Sequence, residues 1–243
     1  MELRGRVALV TGAGRRVGRA LALALADRGA IVAVHHHASG KGATEVVDVI
    51  NTSGGRAKAF PADLTSGQAA SALPSQVARE LGSLDILVNS AAGMVRTPFG
   101  DVTVEAWDEI FALNLRAPFL LAQAAAPHLR RAQGSIVNIS DLAAFETWPA
   151  YIPHGITKSG IVHMTQSLAR VMAPEVRVNA IAPGTVLLPD DWPDADAAHL
   201  NATTPLKRQG TPDDVVAAML FLLASDYVTG ETIVVDCGRN VRK

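Results

Sequence analysis

Short runs of consecutive apolar residues recur along the chain, at Val7–Val10, Ile31–Val34, Ala57–Phe60, Ile86–Val88, Ile136–Ile139, Val176–Ile181 and Thr232–Val235. Runs this short and this continuous suit strands covered on both faces, as in a parallel sheet. Between them lie segments of helical length and periodicity: Gly18–Asp27, Ala43–Asn51, Gln68–Leu81, Val104–His128, Lys158–Met172 and Asp213–Ala224. The last has a strong start in Thr211-Pro212-Asp213-Asp214, with a capping hydroxyl, proline in the first turn and acids near the positive helix end. Strands alternating with crossover helices predict one α/β domain over residues 1–243. Its doubly wound sheet has about seven parallel strands and helices on both faces. The segment 187–206, which carries no strong pattern, is expected to be a substrate loop.

Composition removes several classes of function. With 49% hydrophobic and 19% charged residues the chain can bury a substantial core. A net charge of −1 gives no basic field for nucleic acid. The apolar run Ala20–Ala26 is far shorter than the ~18 residues of a membrane span, and Met1–Gly5 leads into a strand without a signal-peptide core. A small-molecule substrate, with no nucleic-acid or membrane partner, is therefore expected. The single cysteine, Cys237, rules out an internal disulfide framework and suits a reducing cytoplasm.

Candidate chemistry begins after the first strand, where Thr11-Gly12-Ala13-Gly14-Arg15-Arg16-Val17-Gly18-Arg19 leads into a helix. A glycine-rich turn between strand and helix presents backbone N–H groups and a positive helix end to a pyrophosphate, the Rossmann-type arrangement. The glycines do not follow the strict G-x-G-x-x-G spacing. An NAD site would place a carboxylate near the end of the second strand, and no acid stands between Asp27 and Glu45. Arg16, His36, His37, Ser39 and Lys41 instead offer donors suited to a 2′-phosphate, so the expected cofactor is NADPH/NADP+. Successive residues on a strand face opposite ways, so His35-His36-His37 does not read as a metal site.

The turn resembles the Thr-Gly-x-x-x-Gly-x-Gly turn of the short-chain dehydrogenases/reductases, with Arg16 in place of the middle glycine. Further similarities run through the chain. Asp63-Leu64 resembles the adenine contact, Asn89-Ser90-Ala91-Ala92-Gly93 the Asn-Asn-Ala-Gly motif, and Asn114 the asparagine of the catalytic tetrad. Pro183-Gly184 resembles the turn beside the nicotinamide, and Val235-Asp236-Cys237-Gly238 the family's C-terminal strand. The resemblance implies cofactor contacts at Gly12, Arg16, Val17, Gly18, His36, His37, Ser39, Asp63, Leu64, Asn89, Ser90, Ala91, Lys158, Pro183 and Gly184. His154-Gly155-Ile156-Thr157-Lys158 is similar to the catalytic Tyr-x-x-x-Lys, with histidine in place of tyrosine. Asp141, 13 residues earlier, takes the place of the catalytic serine. Aspartate there, arginine in the turn and a histidine-rich second-strand end resemble the pteridine-reductase branch, which implies reduction of C=N bonds.

An NADPH-dependent reduction needs a proton at oxygen or nitrogen. Histidine can give or take one near neutrality. His154 and Lys158, four apart, share a helical face, and an aspartate such as Asp141 can orient an imidazole. The expected catalytic set is therefore Asp141, His154, Lys158 and Asn114. Tyr151, on the approach to that helix, is an alternative donor, and a non-catalytic cofactor binder is the competing function. Met94, Tyr151, Leu188 and Trp192 are the expected substrate-pocket residues for a small cyclic carbonyl or imine. The resemblance also implies a homotetramer or homodimer built on Val104–His128 and Lys158–Met172, with Ala117–Ala126 as a candidate packing face.

Overall fold

All seven apolar runs become parallel strands of one sheet, in the order β3-β2-β1-β4-β5-β6-β7. The structure, a computed structural model, describes residues 1–188 and 194–241. The strands are β1 (Val7–Val10), β2 (Ile31–His36), β3 (Arg56–Pro61), β4 (Ile86–Asn89), β5 (Ser135–Ile139), β6 (Arg177–Pro183) and β7 (Thr232–Val235). The helices are α1 (Arg16–Asp27), α2 (Gly40–Thr52), α3 (Gly67–Leu81), α4 (Val104–Phe111), α5 (Ala117–Ala132), α6 (Ile152–Met172), α7 (Asp194–Thr203) and α8 (Pro212–Ala224). Residues alternate along each strand, and so do the cores they feed. Ala8 and Val10 pack into the layer with α1, α2 and α8. Val7 and Leu9 pack into the opposite layer with α3, α5 and α6. The chain order reverses between β1 and β4, and a doubly wound sheet opens its ligand crevice at such a point, beyond the strands' C-terminal ends.

Three boundaries differ from the sequence expectation, and each bears on the site. The expected single helix Val104–His128 is two helices joined by a π turn at Ala112–Arg116, where the Ala117 amide bonds to the Ala112 carbonyl. The wider turn redirects Asn114, and the 3.6-residue apolar repeat continues on either side without revealing it. Helix α6 begins at Ile152, six residues before the expected Lys158, so His154 stands in its first turn. Pro153 and Gly155 look like breakers, but proline is well tolerated at a helix start. The expected loop 187–206 contains α7, built on alanine-rich residues of high helix propensity.

The face Ala117–Ala126, expected at an assembly surface, is divided, with Phe119 exposed and the inner residues turned to the core. Ala117, Leu121, Ala122 and Ala125 are buried within the chain's own core. The same small apolar residues serve either kind of packing, and the sheet claims them first.

Candidate active site

The first turn is shaped by close approaches. A Cβ on Gly18 would lie 2.3 Å from the Gly12 carbonyl oxygen, and one on Gly12, whose φ is +66°, would lie 2.9 Å from the Ala91 Cα. Glycine at these positions lets helix, strand and turn come together around a backbone cradle. Arg16 adopts the left-handed conformation, φ 51°, that glycine would take most easily. Thr11 ties the cradle to β4: its buried hydroxyl oxygen accepts from the amides of Ser90 and Ala91, at 2.9 and 3.0 Å.

Arg16 does not use its guanidinium as expected. Nη2 donates to the Leu187 carbonyl at 2.8 Å. In the strand order β2 lies on one side of β1 and β6 three places along on the other. Arg16 thus reaches across the crevice, away from the β2 end where a 2′-phosphate would be read. A long side chain on a turn can point to either flank. The partly exposed His36 and Ser39 and the exposed His37 remain at the β2 end. His37 Nδ1 lies 3.3 Å from Asp63 Oδ1. The Thr65 hydroxyl and amide, donating to that same oxygen, hold the Asp63 carboxyl below its usual range. Leu64 is buried in the core beside it.

At the other end of the crevice, β4, β5, the π turn and α6 converge. Asn114 is buried, and its amide satisfies both backbone groups of Gly93: Oδ1 accepts from the Gly93 N–H at 2.8 Å and Nδ2 donates to the Gly93 carbonyl at 2.9 Å. The same carbonyl lies 3.1 Å from His154 Nδ1. A carbonyl can only accept, so Nδ1 carries the proton and Nε2 is bare in the neutral ring. Asn114 Nδ2 also approaches Nδ1, at 3.4 Å, but it has better acceptors in Gly93 and in Thr157 Oγ1 at 3.3 Å. His154 is 3% exposed, and its Nε2 has no hydrogen-bond partner among the described residues.

Nε2 lies 3.7 Å from Asp141 Oδ2. That is too long for a hydrogen bond but within ion-pair range of a protonated ring. Asp141 Oδ1 is occupied by the Ala143 amide at 2.8 Å, which fixes the carboxylate on the turn Leu142–Ala144. Two groups 3.7 Å apart allow one ligand atom within hydrogen-bonding reach of both. Lys158, one turn along α6, is buried and donates from Nζ to the Ile139 carbonyl at 2.9 Å. Burial pushes its ammonium down to about 8, against the opposing influence of Asp141. Ser140 does not face this cluster: its hydroxyl donates to the Lys158 carbonyl.

Of the expected pocket residues, Met94 and Tyr151 lie on the segments leading to His154, and Leu188 lies on the loop after β6. Met94, half exposed, follows the Gly93 that holds His154. Tyr151 caps α6 and is bridged to Thr97 on the Met94 loop. Leu188 is partly buried and adjoins the carbonyl held by Arg16. Trp192 lies outside the described residues. Pro183 and Gly184 end β6 as expected, and a Cβ on Gly184 would lie 2.9 Å from Asp236. Asn89 reaches inward, donating from Nδ2 to Asn138 Oδ1 at 2.8 Å, while its own buried Oδ1 has no partner.

Sequence reasoning passed over Thr11, Thr157, Asn138 and above all His35. The signal for His35 was available, because it extends the continuous apolar run Ile31–Val34, and a polar side chain there is buried and must be partnered.

The glycine cradle and the unpartnered Nε2 of His154 fit a dinucleotide with a second ligand at its reactive end. Comparison with known proteins agrees. A family model described as enoyl-(acyl carrier protein) reductase matches residues 12–240. A hydroxynaphthalene reductase-like protein of Metarhizium robertsii is 38% identical over 258 residues, covering 98% of this chain and 96% of that protein. A crystal structure from Sinorhizobium meliloti 1021, provisionally assigned as a short-chain alcohol dehydrogenase, superposes with a TM-score of 0.94 at 36% identity, covering 100% of this chain and 99% of the other. A blue fluorescent protein from a metagenomic library, solved in complex with NADPH, superposes with a TM-score of 0.92 at 31% identity, covering 98% and 99%.

Proposed function

We propose a function from one established premise: the chain belongs to the short-chain dehydrogenase/reductase family of oxidoreductases. Within it, the chain acts as an NADPH-dependent reductase of a C=O or C=N bond in a small cyclic substrate, with His154 as proton donor. The observation that carries this reading is the His154 ring, buried and held at Nδ1 by Gly93, with Nε2 bare and facing Asp141 at 3.7 Å.

Residues 12–18, with Ser90 and Ala91, would hold the pyrophosphate side of NADPH, and His36, His37 and Ser39 its 2′-phosphate. The bound cofactor supplies a hydride to carbon. This chain's part is the proton. With Nδ1–H committed to Gly93, the ring can donate only from Nε2, and only as the imidazolium. Asp141 offers that cation a counter-charge and, at 25% side-chain exposure, still meets solvent from which the ring is recharged. Lys158 adds positive charge below about pH 8, and Asn114 fixes the Gly93 carbonyl on which the tautomer depends.

The pteridine-reductase likeness of Arg16, Asp141 and the β2 end supports C=N reduction. The description of the Metarhizium relative supports a flat cyclic carbonyl. NADPH oxidation across pterins, quinones, ketones and cyclic imines decides between them. Turnover of one class that is lost in His154→Ala supports the reading. NADPH binding with no turnover on any class would replace it with a non-catalytic cofactor binder.

The reading of a homodimer or homotetramer is supported by the outer side of the π turn. There a groove of about 810 Å³ is lined by Phe111, Leu115, Phe119 and Met164, and Trp107 stacks on Phe111 with centroids 4.4 Å apart. Light scattering should give a multiple of the 25.4 kDa chain. Among the described residues no helix is long and apolar enough to cross a membrane. The cytoplasm suits the single cysteine.

A further inference from the structure

His35 is 2% exposed at the end of β2 and belongs to no catalytic set. Both of its nitrogens are engaged. Nδ1 accepts from the Gly12 N–H at 3.1 Å, so it carries no proton. Nε2 lies 3.1 Å from the Ala62 carbonyl, so it carries one. The partners assign a single neutral tautomer. Gly12 opens the cradle in a left-handed conformation against Ala91, and Ala62 adjoins Asp63 on the adenine side. One rigid ring therefore spans the pyrophosphate cradle and the end of β3.

We propose that His35 is a positioning residue for the dinucleotide, a neutral imidazole strut that holds the Gly12 amide, and with it the cradle, in the conformation that accepts NADPH. The inference rests on the cofactor reading above but not on any substrate or on His154. A protonated ring would place an N–H against the Gly12 N–H, so the strut works only when neutral. Burial, with smaller effects from His36 and His37, pushes its imidazolium down to about 4 against the Ala62 bond, which keeps it neutral at ordinary pH. Of the elements packed on it, the β1 turn presents the Gly12 amide and the β3 end the Ala62 carbonyl. The Asp63 carboxylate beside Ala62 is engaged by Thr65 and His37.

The two nitrogens can be separated by substitution. Asparagine puts an acceptor close to the Nδ1 position, and glutamine puts a donor close to Nε2. NADPH binding, followed by cofactor fluorescence without substrate, should weaken about tenfold or more in His35→Leu, where the buried Gly12 amide loses its acceptor. It should return to within about threefold of wild type in His35→Asn and stay weak in His35→Gln. Nitrogen-15 shifts of the ring in the cofactor-free protein at pH 7 should show a bare Nδ1 and a protonated Nε2. The proposal is overturned if folded His35→Leu binds NADPH like the wild type, if asparagine and glutamine behave alike, or if the ring shows the other tautomer. If His35→Leu does not fold, the asparagine–glutamine contrast and the ring shifts decide. Wild-type protein that binds no NADPH would defeat the cofactor reading and this proposal together, whereas binding without turnover defeats only the reductase reading.

Discussion

Each half of the crevice holds one buried histidine, and the two are built in opposite ways. His35, on the β1–β2–β3 side, is bonded at both nitrogens, with Nδ1 accepting and Nε2 donating. His154, on the β4–β5–β6 side, has Nδ1 donating and Nε2 without a partner. Burial of an unpaired polar atom costs about 1–3 kcal/mol, so the difference separates the roles. A histidine satisfied twice holds backbone in place, while one left open toward a carboxylate suits the proton-donor role proposed for it. The adjacent His36, partly exposed, and His37, exposed, belong to neither type.

The most damaging test of this contrast is His154→Ala. Reduction should fall roughly 10²–10⁴-fold, the usual loss for a general acid, while NADPH affinity, measured by titration, stays within a few fold. Unchanged turnover there, together with loss in Tyr151→Phe, would move the acid to Tyr151. His154→Tyr should retain some carbonyl reduction beside Lys158.

Next in size is the pH response of His35. The unfolded chain takes up a proton near 6.5, and the folded ring resists until about 4. Between these values the unfolded state binds more protons, so stability rises with pH. The contribution is complete above about 6.5 and is lost as pH falls toward 4. Its ceiling is ~3 kcal/mol. Urea unfolding at pH 7 and pH 5 should show the slope in wild type and a reduced slope in His35→Asn, and equal slopes would remove the ring from the account.

A smaller effect is expected at Asp141. Without its counter-charge to the ring, Asp141→Asn should slow reduction by several fold while NADPH affinity stays unchanged. A rate unmoved by the substitution would mean that the 3.7 Å pair is idle. Comparable in size is the cofactor preference: NADPH should bind about tenfold more tightly than NADH, ~1.4 kcal/mol, and a double substitution of His37 and Ser39 should narrow the gap. Arg16→Ala should disturb the Leu187 segment first, because that is where its guanidinium is bonded.

Patterning alone carried the architecture. Seven apolar runs, six helical stretches and the helix start at Thr211–Asp214 were legible because strand and helix periods are local properties, and α8 begins there as expected. The glycine turn and the shared face of His154 and Lys158 were legible for the same reason, since spacing on one element carries over to one face. Spacing along the chain could not decide what happens where elements from distant sequence meet. The π turn that aims Asn114, the Gly93 carbonyl that sets the His154 tautomer, the reach of Arg16 to Leu187 and the double bonding of His35 each join residues 21 to 171 positions apart. Sequence determined which chemical groups enter the crevice. The tertiary structure decided which of them are left with an open valence there, because a proton's position depends on the partner across the gap and not on the neighbour along the chain.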